Sequence, residues 1–194
     1  MPRIPSLART ILQPLAIAIV LGLVVRGTIE IYSIPSASMA PALLPGDQIL
    51  VTRYLRGEPQ RGDVVVFHSP RVPGEVLVKR VVAVPGDLVE SHLGRIRVAG
   101  HTLPEPYVLR QGATGSIEPR QIAQGEYFLL GDNRDDSIDS RNWGTVPHTM
   151  ILGRVEMVLW SVSSPGTDDA HAAARSGPNA TARPRGLRLF KCIH

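Results

Sequence analysis

Hydrophobic and polar positions alternate in three distinct ways along this chain. The first run, ILQPLAIAIVLGLVV from Ile11 to Val25, is continuously apolar apart from Gln13. Such a run predicts a helix, and its length would be roughly 22 Å against about 30 Å for a bilayer core. Leu7 and Ala8 before it, with Ile29 and Ile31 after it, extend the stretch to near a full span. Arg26 would carry its charge toward the headgroups. The second kind of run is short, β-branched and bounded by turn residues. Ile49–Tyr54, Val64–His68, Val76–Val84, Tyr127–Leu130 and Val155–Val162 are of this kind. They are joined by Pro45-Gly46-Asp47, Arg61-Gly62-Asp63, Pro85-Gly86-Asp87 and similar turns, and they predict strands. Leu88 to Ala99 predicts a hairpin turning near His92 to Gly94. Pro104 to Ala123 is weakly patterned and reads as a loop or small β extension. The third pattern has no hydrophobic period. Ser163 to Pro184, rich in Ala, Ser, Gly and Pro, predicts a flexible linker. Gly186 to His194 (GLRLFKCIH) predicts a last strand that returns to the body.

The expected organisation is therefore mainly β. Residues 1–30 form a cytoplasmic stub and transmembrane helix, and residues 31–162 a β-rich, partly barrel-like domain with an insertion at 88–125. A linker at 163–185 and a C-terminal segment at 186–194 follow. The chain has 194 residues, enough for one ordinary domain with an appendage. Gly 18 and Pro 17 favour a loop-rich β fold over a helical bundle. A single cysteine, Cys192, excludes an internal disulfide framework and a Cys-based zinc cluster. The net charge of +4 is modest and its basic residues are scattered, which argues against a nucleic-acid partner. Arg3 and Arg9 precede the apolar run, and Arg26 with Glu30 follows it. This asymmetry favours a cytoplasmic N-terminus. A cleavable secretory signal ending near Ser36-Ala37-Ser38 is the alternative for the same segment.

Of the 21 basic residues only Lys79 and Lys191 are lysine. Lys79 stands in EVLVKRVVAV, a run that must be largely buried if it is a strand. A serine hydroxyl is a poor nucleophile until a base takes its proton. None of the six histidines lies in a recognisable triad motif. A buried lysine is the other base available, because burial disfavours its charged form. Arginine does not deprotonate and cannot take that part. The competing reading of Lys79 is a strand-edge lysine pointing to solvent. Strand alternation puts Leu77, Lys79 and Val81 on one side, and Val78, Arg80 and Val82 on the other. GDNRDDSIDSRNWGTVP, Gly131 to Pro147, reads either as a solvated loop held by Asp–Arg pairs or as a polar scaffold.

IPSASMAPALLPGDQILV, RGDVVVF from Arg61, KRVVAVPGD from Lys79 and GDNRDDSIDSRNWGTVP stand in this order. In these motifs, from Tyr32 to Trp160, the chain resembles bacterial signal peptidase I, a family of membrane-anchored Ser-Lys proteases that remove signal peptides from exported proteins. The resemblance implies Ser38 as nucleophile and Lys79 as general base. It implies an oxyanion hole from the Ser36 hydroxyl and the Ser38 N–H, and a Ser137 hydroxyl that orients the lysine amine. Asp132 with Arg80, and Asp139 with Arg141, would be scaffolding pairs. Tyr32, Ile34, Met39, Leu43, Val66, Leu77 and Val78 would line shallow pockets for small residues at the −3 and −1 positions of an extended substrate. No cofactor or metal is implied. The implied partners are signal-peptide-bearing preproteins and the lipid bilayer. The implied location is the bacterial inner membrane, crossed once, with the catalytic domain outside the cytoplasm. With the motif at Ser36 to Ser38 in place, a retained anchor is the expectation over a cleaved signal. The chain departs from well-studied Gram-negative members in showing one span and no large insertion between the lysine and Gly-Asp-Asn motifs. Two other readings remain: a conjugation-type or organelle-type peptidase of the same family, and a catalytically inactive membrane-anchored module that binds exported peptides.

Overall fold

The computed structural model describes residues 11–54, 57–108, 114–161 and 188–189. Helix α1 (Gln13–Thr28) is followed without a break by strand β1 (Ile29–Ser33). The apolar residues of its first turns, from Ile11 to Val20, are exposed. Among the described residues no helix is long and apolar enough to cross a membrane. The expectation that Ile29 and Ile31 prolong the helix is corrected. Both belong to β1, where Ile29 faces Thr52 and Ile31 faces Leu50 across an antiparallel ladder. Alternating β-branched and polar residues, Ile-Glu-Ile-Tyr, suit a half-buried strand better than another helical turn. Residues 1–10, including Leu7 and Ala8, lie outside the described residues.

The main sheet is antiparallel. It contains β1, β2 (Asp47–Thr52), β3 (Val64–His68), β4 (Val76–Ala83), β9 (Glu126–Leu130), β10 (Val146–Pro147) and β11 (Ile151–Ser161). Its order is β1-β2-β11-β3-β4-β9-β10. The last long strand, β11, thus enters between β2 and β3. Register shifts interrupt β11 beside both neighbours and β4 beside β9. Such bulges bend and twist a strand, and they let the sheet curl into a half-barrel. A short strand β12 (Arg188–Leu189) pairs with β11 opposite Val158 and Met157. The expected linker 163–185 lies outside the described residues.

The middle of the sheet is buried on both faces. Val64 and Val66 of β3 pack in one cluster with Ile34, Met39, Leu43, Ile49, Val51, Val155 and Val158. Val65 and Phe67, the alternate positions, pack in another with Val81, Tyr127, Leu129 and Val146. A strand covered on both faces reads as a continuous apolar run, as VVVF does here.

The expected insertion is a second sheet of four strands, ordered β7 (His101–Thr102), β6 (Arg95–Val98), β5 (Leu88–His92) and β8 (Arg120–Gln121). β5 and β6 form the expected hairpin, with His92 opposite Arg95. Val89, Ile96 and Val98 of this sheet, with Ile117 and Ile122 on either side of β8, pack on Val82, Ala83, Phe128 and Leu130 of the main one. The two sheets are joined through that shared core.

Three Gly-Asp turns repeat one geometry. Asp47, Asp63 and Asp87 each accept a hydrogen bond from the N–H three residues earlier, at Leu44, Gln60 and Val84, over 2.9, 2.9 and 2.8 Å. The glycine before each aspartate has φ of 88°, 92° and 88°, the left-handed conformation that a type II turn requires at its third residue. These turns set where β2 and β3 begin and where β4 ends, and β4 carries Lys79.

Candidate active site

Ser38 sits on the loop between β1 and β2. That loop is closed on itself by hydrogen bonds from Ala40 N to Ala37 O and from Leu43 N to Met39 O, at 3.0 and 2.9 Å. Met39 and Leu43, 1% and 0% exposed, anchor it in the core from either side of the Ala40-Pro41 bond. A second clamp comes from the loop after β9. Asn133 N donates to the Ser38 carbonyl (3.1 Å), and Asn133 Nδ2 donates to the Ala37 carbonyl (3.3 Å). The Ser38 hydroxyl is therefore carried on a loop fixed at two levels, backbone and core.

Lys79 Nζ lies 2.7 Å from Ser38 Oγ, across 41 residues of sequence. The lysine is 3% exposed. It stands on β4 opposite Val65 of β3, within the stretch of sheet that both faces cover. Burial lowers its pKa to about 8 from the ordinary 10.5. The carboxylates of Asp139 and Asp132 work against that shift, and the Arg141 cation works with it. The neutral amine, the state a base needs, is therefore a minority form at neutral pH and the main form above about pH 8. The Ser36 hydroxyl, on the exposed side of the same loop, donates to Ser38 Oγ over 3.3 Å. The Ser38 N–H has no acceptor among the described residues. Two donors therefore converge beside one hydroxyl.

The Gly-Asp-Asn loop supplies the frame. Arg80 Nε and Nη2 donate to Asp132 Oδ1 and Oδ2 at 2.8 and 2.7 Å, and Nη1 donates to the Gly62 carbonyl at 2.8 Å. Arg80 and Asp132 are both buried, at 2% and 0% exposure. Asp139 caps the short helix α2 (Ser140–Trp143). Its carboxylate also receives Arg141 Nε and Nη2, each at 2.8 Å, and the Gly131 N–H at 3.1 Å. Gly131 has no room for a side chain. A Cβ there would overlap Ser137 Oγ and stand 2.5 Å from the Ser38 carbonyl oxygen.

Ser137 departs from expectation. Its hydroxyl is buried and has no hydrogen-bond partner among the described residues, so the expected bond to the Lys79 amine is not formed. The Ser137 side chain packs against Gly131, and the lysine amine is directed to Ser38 instead.

The apolar candidates divide by face. Ile34, Met39, Leu43 and Val66 are buried together, with Tyr32 and Val78 partly buried against them. They form one apolar floor beside the Ser38 loop. Leu77 is not among them. It packs with Val65, Phe67 and Val81 on the other face of β4. Leu77 and Val78 thus lie on opposite faces of β4, as strand alternation expects, with Leu77 on the side of Lys79.

Three partners of this frame, Glu105, Thr114 and Tyr107, carry no motif in the sequence. Arg134 pairs with Glu105 at 1% and 4% side-chain exposure, and its Nε donates to the Gly131 carbonyl at 2.9 Å. Its Nη1 donates to Thr114 Oγ1 at 2.6 Å. Tyr107 lays its ring over the Arg80 guanidinium, 3.9 Å from Cζ to centroid. Glu105, Tyr107 and Thr114 come from the connection between β7 and β8, the stretch that reads as a featureless loop.

The family model "Signal peptidase, peptidase S26" matches residues 7–160. The probable signal peptidase I-2 of Synechocystis sp. is 34% identical over 167 residues, covering 81% of this chain and 76% of that protein. Signal peptidase IB of Staphylococcus aureus (strain Mu50) is 34% identical over 164 residues, covering 75% and 85%. A crystal structure of a signal peptidase I from Enterococcus faecalis V583 superposes with a TM-score of 0.46 at 31% identity, covering 50% of this chain and 97% of that one. With its family model matched from residue 7 to Trp160, this chain belongs to the signal peptidase family, peptidase S26.

Proposed function

We propose that this chain is a signal peptidase I that cleaves signal peptides from exported preproteins through a Ser38–Lys79 pair. The observation that carries the reading is the 2.7 Å approach of Lys79 Nζ to Ser38 Oγ, with the lysine buried. Neutral Lys79 takes the Ser38 proton as Oγ attacks the scissile carbonyl carbon. The developing oxyanion is held by the Ser36 hydroxyl and the Ser38 N–H. Collapse of the tetrahedral species breaks the C–N bond, and the proton passes from Lys79 to the departing amine. An ester joins the signal peptide to Ser38 Oγ. Lys79, neutral again, then takes a proton from water as that water attacks the ester, which frees the signal peptide and restores the serine. Preorganised donors of this kind are each worth about 3 kcal/mol of transition-state stabilisation.

The apolar floor of Ile34, Met39, Leu43 and Val66, rimmed by Tyr32 and Val78, suits small side chains at the −3 and −1 positions of an extended substrate. The frame of Arg80, Asp132, Asp139 and Arg141 holds the loops that carry the reacting groups. The N-terminal apolar segment, from the residues before Ile11 to Thr28, acts as a retained single-pass anchor with a cytoplasmic N-terminus. The catalytic domain then lies on the extracytoplasmic side. The domain plan is an anchor to residue 28, a catalytic body to Ser161 and a tail that returns through β12.

Incubation of the detergent-solubilised full chain with a signal-peptide-bearing preprotein, with the cut mapped by mass, tests the function. Cleavage after a small residue by wild type, and none by Ser38→Ala or Lys79→Ala, is the expected result. Equal cleavage by Lys79→Ala would remove Lys79 as the base.

A further inference from the structure

The two peptide groups on either side of the Ser38 Cα are held by one residue. Asn133 N donates to the Ser38 carbonyl at 3.1 Å, and Asn133 Nδ2 donates to the Ala37 carbonyl at 3.3 Å. Only the nitrogen of that side-chain amide can donate to a carbonyl oxygen. The Ala37–Ser38 bond is a planar trans peptide, so its C=O and its N–H point in opposite directions. With the Ala37 oxygen turned to Asn133, the Ser38 N–H is turned away from it. That N–H has no acceptor among the described residues, so it stands ready as a donor on the side remote from Asn133. The Ala40 N–H grips the same Ala37 oxygen at 3.0 Å, but it belongs to the Ser38 loop and travels with it. Asn133 belongs to the loop after β9, where Asp132 is seated on Arg80 and the Gly131 N–H on Asp139. Its side chain therefore ties the Ala37–Ser38 peptide plane to a buried frame.

We propose that Asn133 is a positioning residue for the oxyanion hole: its side-chain amide, by holding the Ala37 carbonyl, keeps the Ser38 N–H aimed at the scissile carbonyl oxygen. The inference rests on Ser38 as the nucleophile and on its N–H as an oxyanion donor. A peptide plane turns when ψ of the residue before it and φ of the residue after it change together, with little movement of the flanking Cα atoms. Such a turn between Ala37 and Ser38 would take the N–H out of the site. It would also bring a carbonyl oxygen, which repels an oxyanion, toward the place the N–H had left. The Asn133 amide opposes that turn. Donors fixed in advance stabilise a developing charge because they need no reorientation as it forms. The Ser38 hydroxyl is set separately, by its own bond to Lys79 Nζ. What Asn133 controls is therefore the stabilisation of the oxyanion and not the removal of the serine proton.

The test is cleavage of a signal-peptide-bearing preprotein by the full chain in detergent, for wild type, Asn133→Ala and Asn133→Asp, with Ser38→Ala as control. Rates are read on the alkaline plateau, where the base is neutral in every variant, so that a displaced base is not mistaken for a lost donor. Asn133→Ala removes the side-chain donor and keeps the backbone N–H. Its kcat should fall about ten-fold with KM within about two-fold. Asn133→Asp keeps the shape but sets a carboxylate oxygen against the Ala37 oxygen, and its kcat should fall about 100-fold. A packing role would give the opposite order, because the isostere fills the same space. A peptide aldehyde with alanine at −1 adds reversibly to Ser38 Oγ and places its own oxygen where the oxyanion forms. Its inhibition constant should rise by the same factors as kcat falls. An Asn133→Asp variant as active as Asn133→Ala or more so overturns the proposal. So does a wild-type kcat in Asn133→Ala, or a fall in kcat with aldehyde inhibition unchanged. Should Asn133→Ala fail to fold, the isosteric Asn133→Asp decides against wild type: kcat and aldehyde affinity lost together support the proposal, and wild-type values of either overturn it. Cleavage by Ser38→Ala would instead overturn the proposed function on which the inference rests.

Discussion

Gly131 and Ser38 meet backbone to backbone: a Cβ on the glycine would stand 2.5 Å from the Ser38 carbonyl oxygen. The approach lets Asn133 N, two residues on, donate to that same carbonyl. Gly131→Ala must push the Ser38 loop away from β4 or rotate Ser137 out of its packing. Either movement lengthens the 2.7 Å contact between Lys79 and Ser38. Overpacking of this kind costs about 1–3 kcal/mol of stability. A displacement of about 1 Å in reacting groups lowers rate about 100-fold. The measurement is kcat together with the denaturation midpoint. Full activity in Gly131→Ala would mean that the loop tolerates the shift and that its close fit is irrelevant to the chemistry.

Cleavage should rise with pH through about pH 8, where burial has placed the Lys79 pKa. The sign follows from the role: the base acts only when deprotonated, so the rate grows as protons leave and levels off above the pKa. Lys79→Arg should be inactive across the range, since guanidinium stays charged. A kcat profile that is flat from acid to alkaline pH would show that no such base titrates.

The same burial makes Lys79 costly to the fold at neutral pH. Between the folded value of about 8 and the ordinary 10.5 the unfolded chain holds a proton that the folded chain has released. Stability therefore increases with pH across that window, and the full cost of a buried ammonium is felt below it. Lys79→Met should be more stable than wild type by roughly 3 kcal/mol below the window, with the difference vanishing as pH climbs through it. Urea midpoints of both proteins over a pH series decide this, because other titrating groups cancel in the comparison. A difference that is constant with pH would show that the lysine keeps its charge in the fold.

Ser36→Ala removes a hydroxyl that now rests 3.3 Å from Ser38 Oγ. A lost oxyanion donor lowers kcat by about 10²–10³ and leaves KM nearly unchanged. Because Ser36 is exposed, the variant should fold normally. A rise in KM at constant kcat would assign Ser36 to ground-state binding instead.

Much of this architecture was legible in the chain. VVVF of β3, the hairpin at β5 and β6 and the repeated Gly-Asp turns depend on local rules: period, turn residues and side-chain-to-backbone hydrogen bonds within four positions. The choice of lysine at position 79 among so many arginines is equally local, since it is a chemical fact about one side chain. One error came from treating neighbours in sequence as neighbours in space. Ile29 and Ile31 share hydrophobicity with the helix before them, but pairing with β2 drew them into a strand. Leu77 and Val78, by contrast, fall in different clusters as the strand period alone requires.

What the sequence alone determined is the list of groups able to do the chemistry and the segments that carry them, because turn formation, strand period and the acidity of a side chain's functional group are local properties. What only the tertiary structure decided is which groups touch and in what charge state. Lys79 meets Ser38 across the sheet, Glu105 finds Arg134, Tyr107 covers Arg80, and the Ser137 hydroxyl has no partner among the described residues. These outcomes arise from packing between distant segments. Water is excluded and a proton's affinity reset by the whole set of neighbours, and the order of residues along the chain does not encode those neighbours one by one.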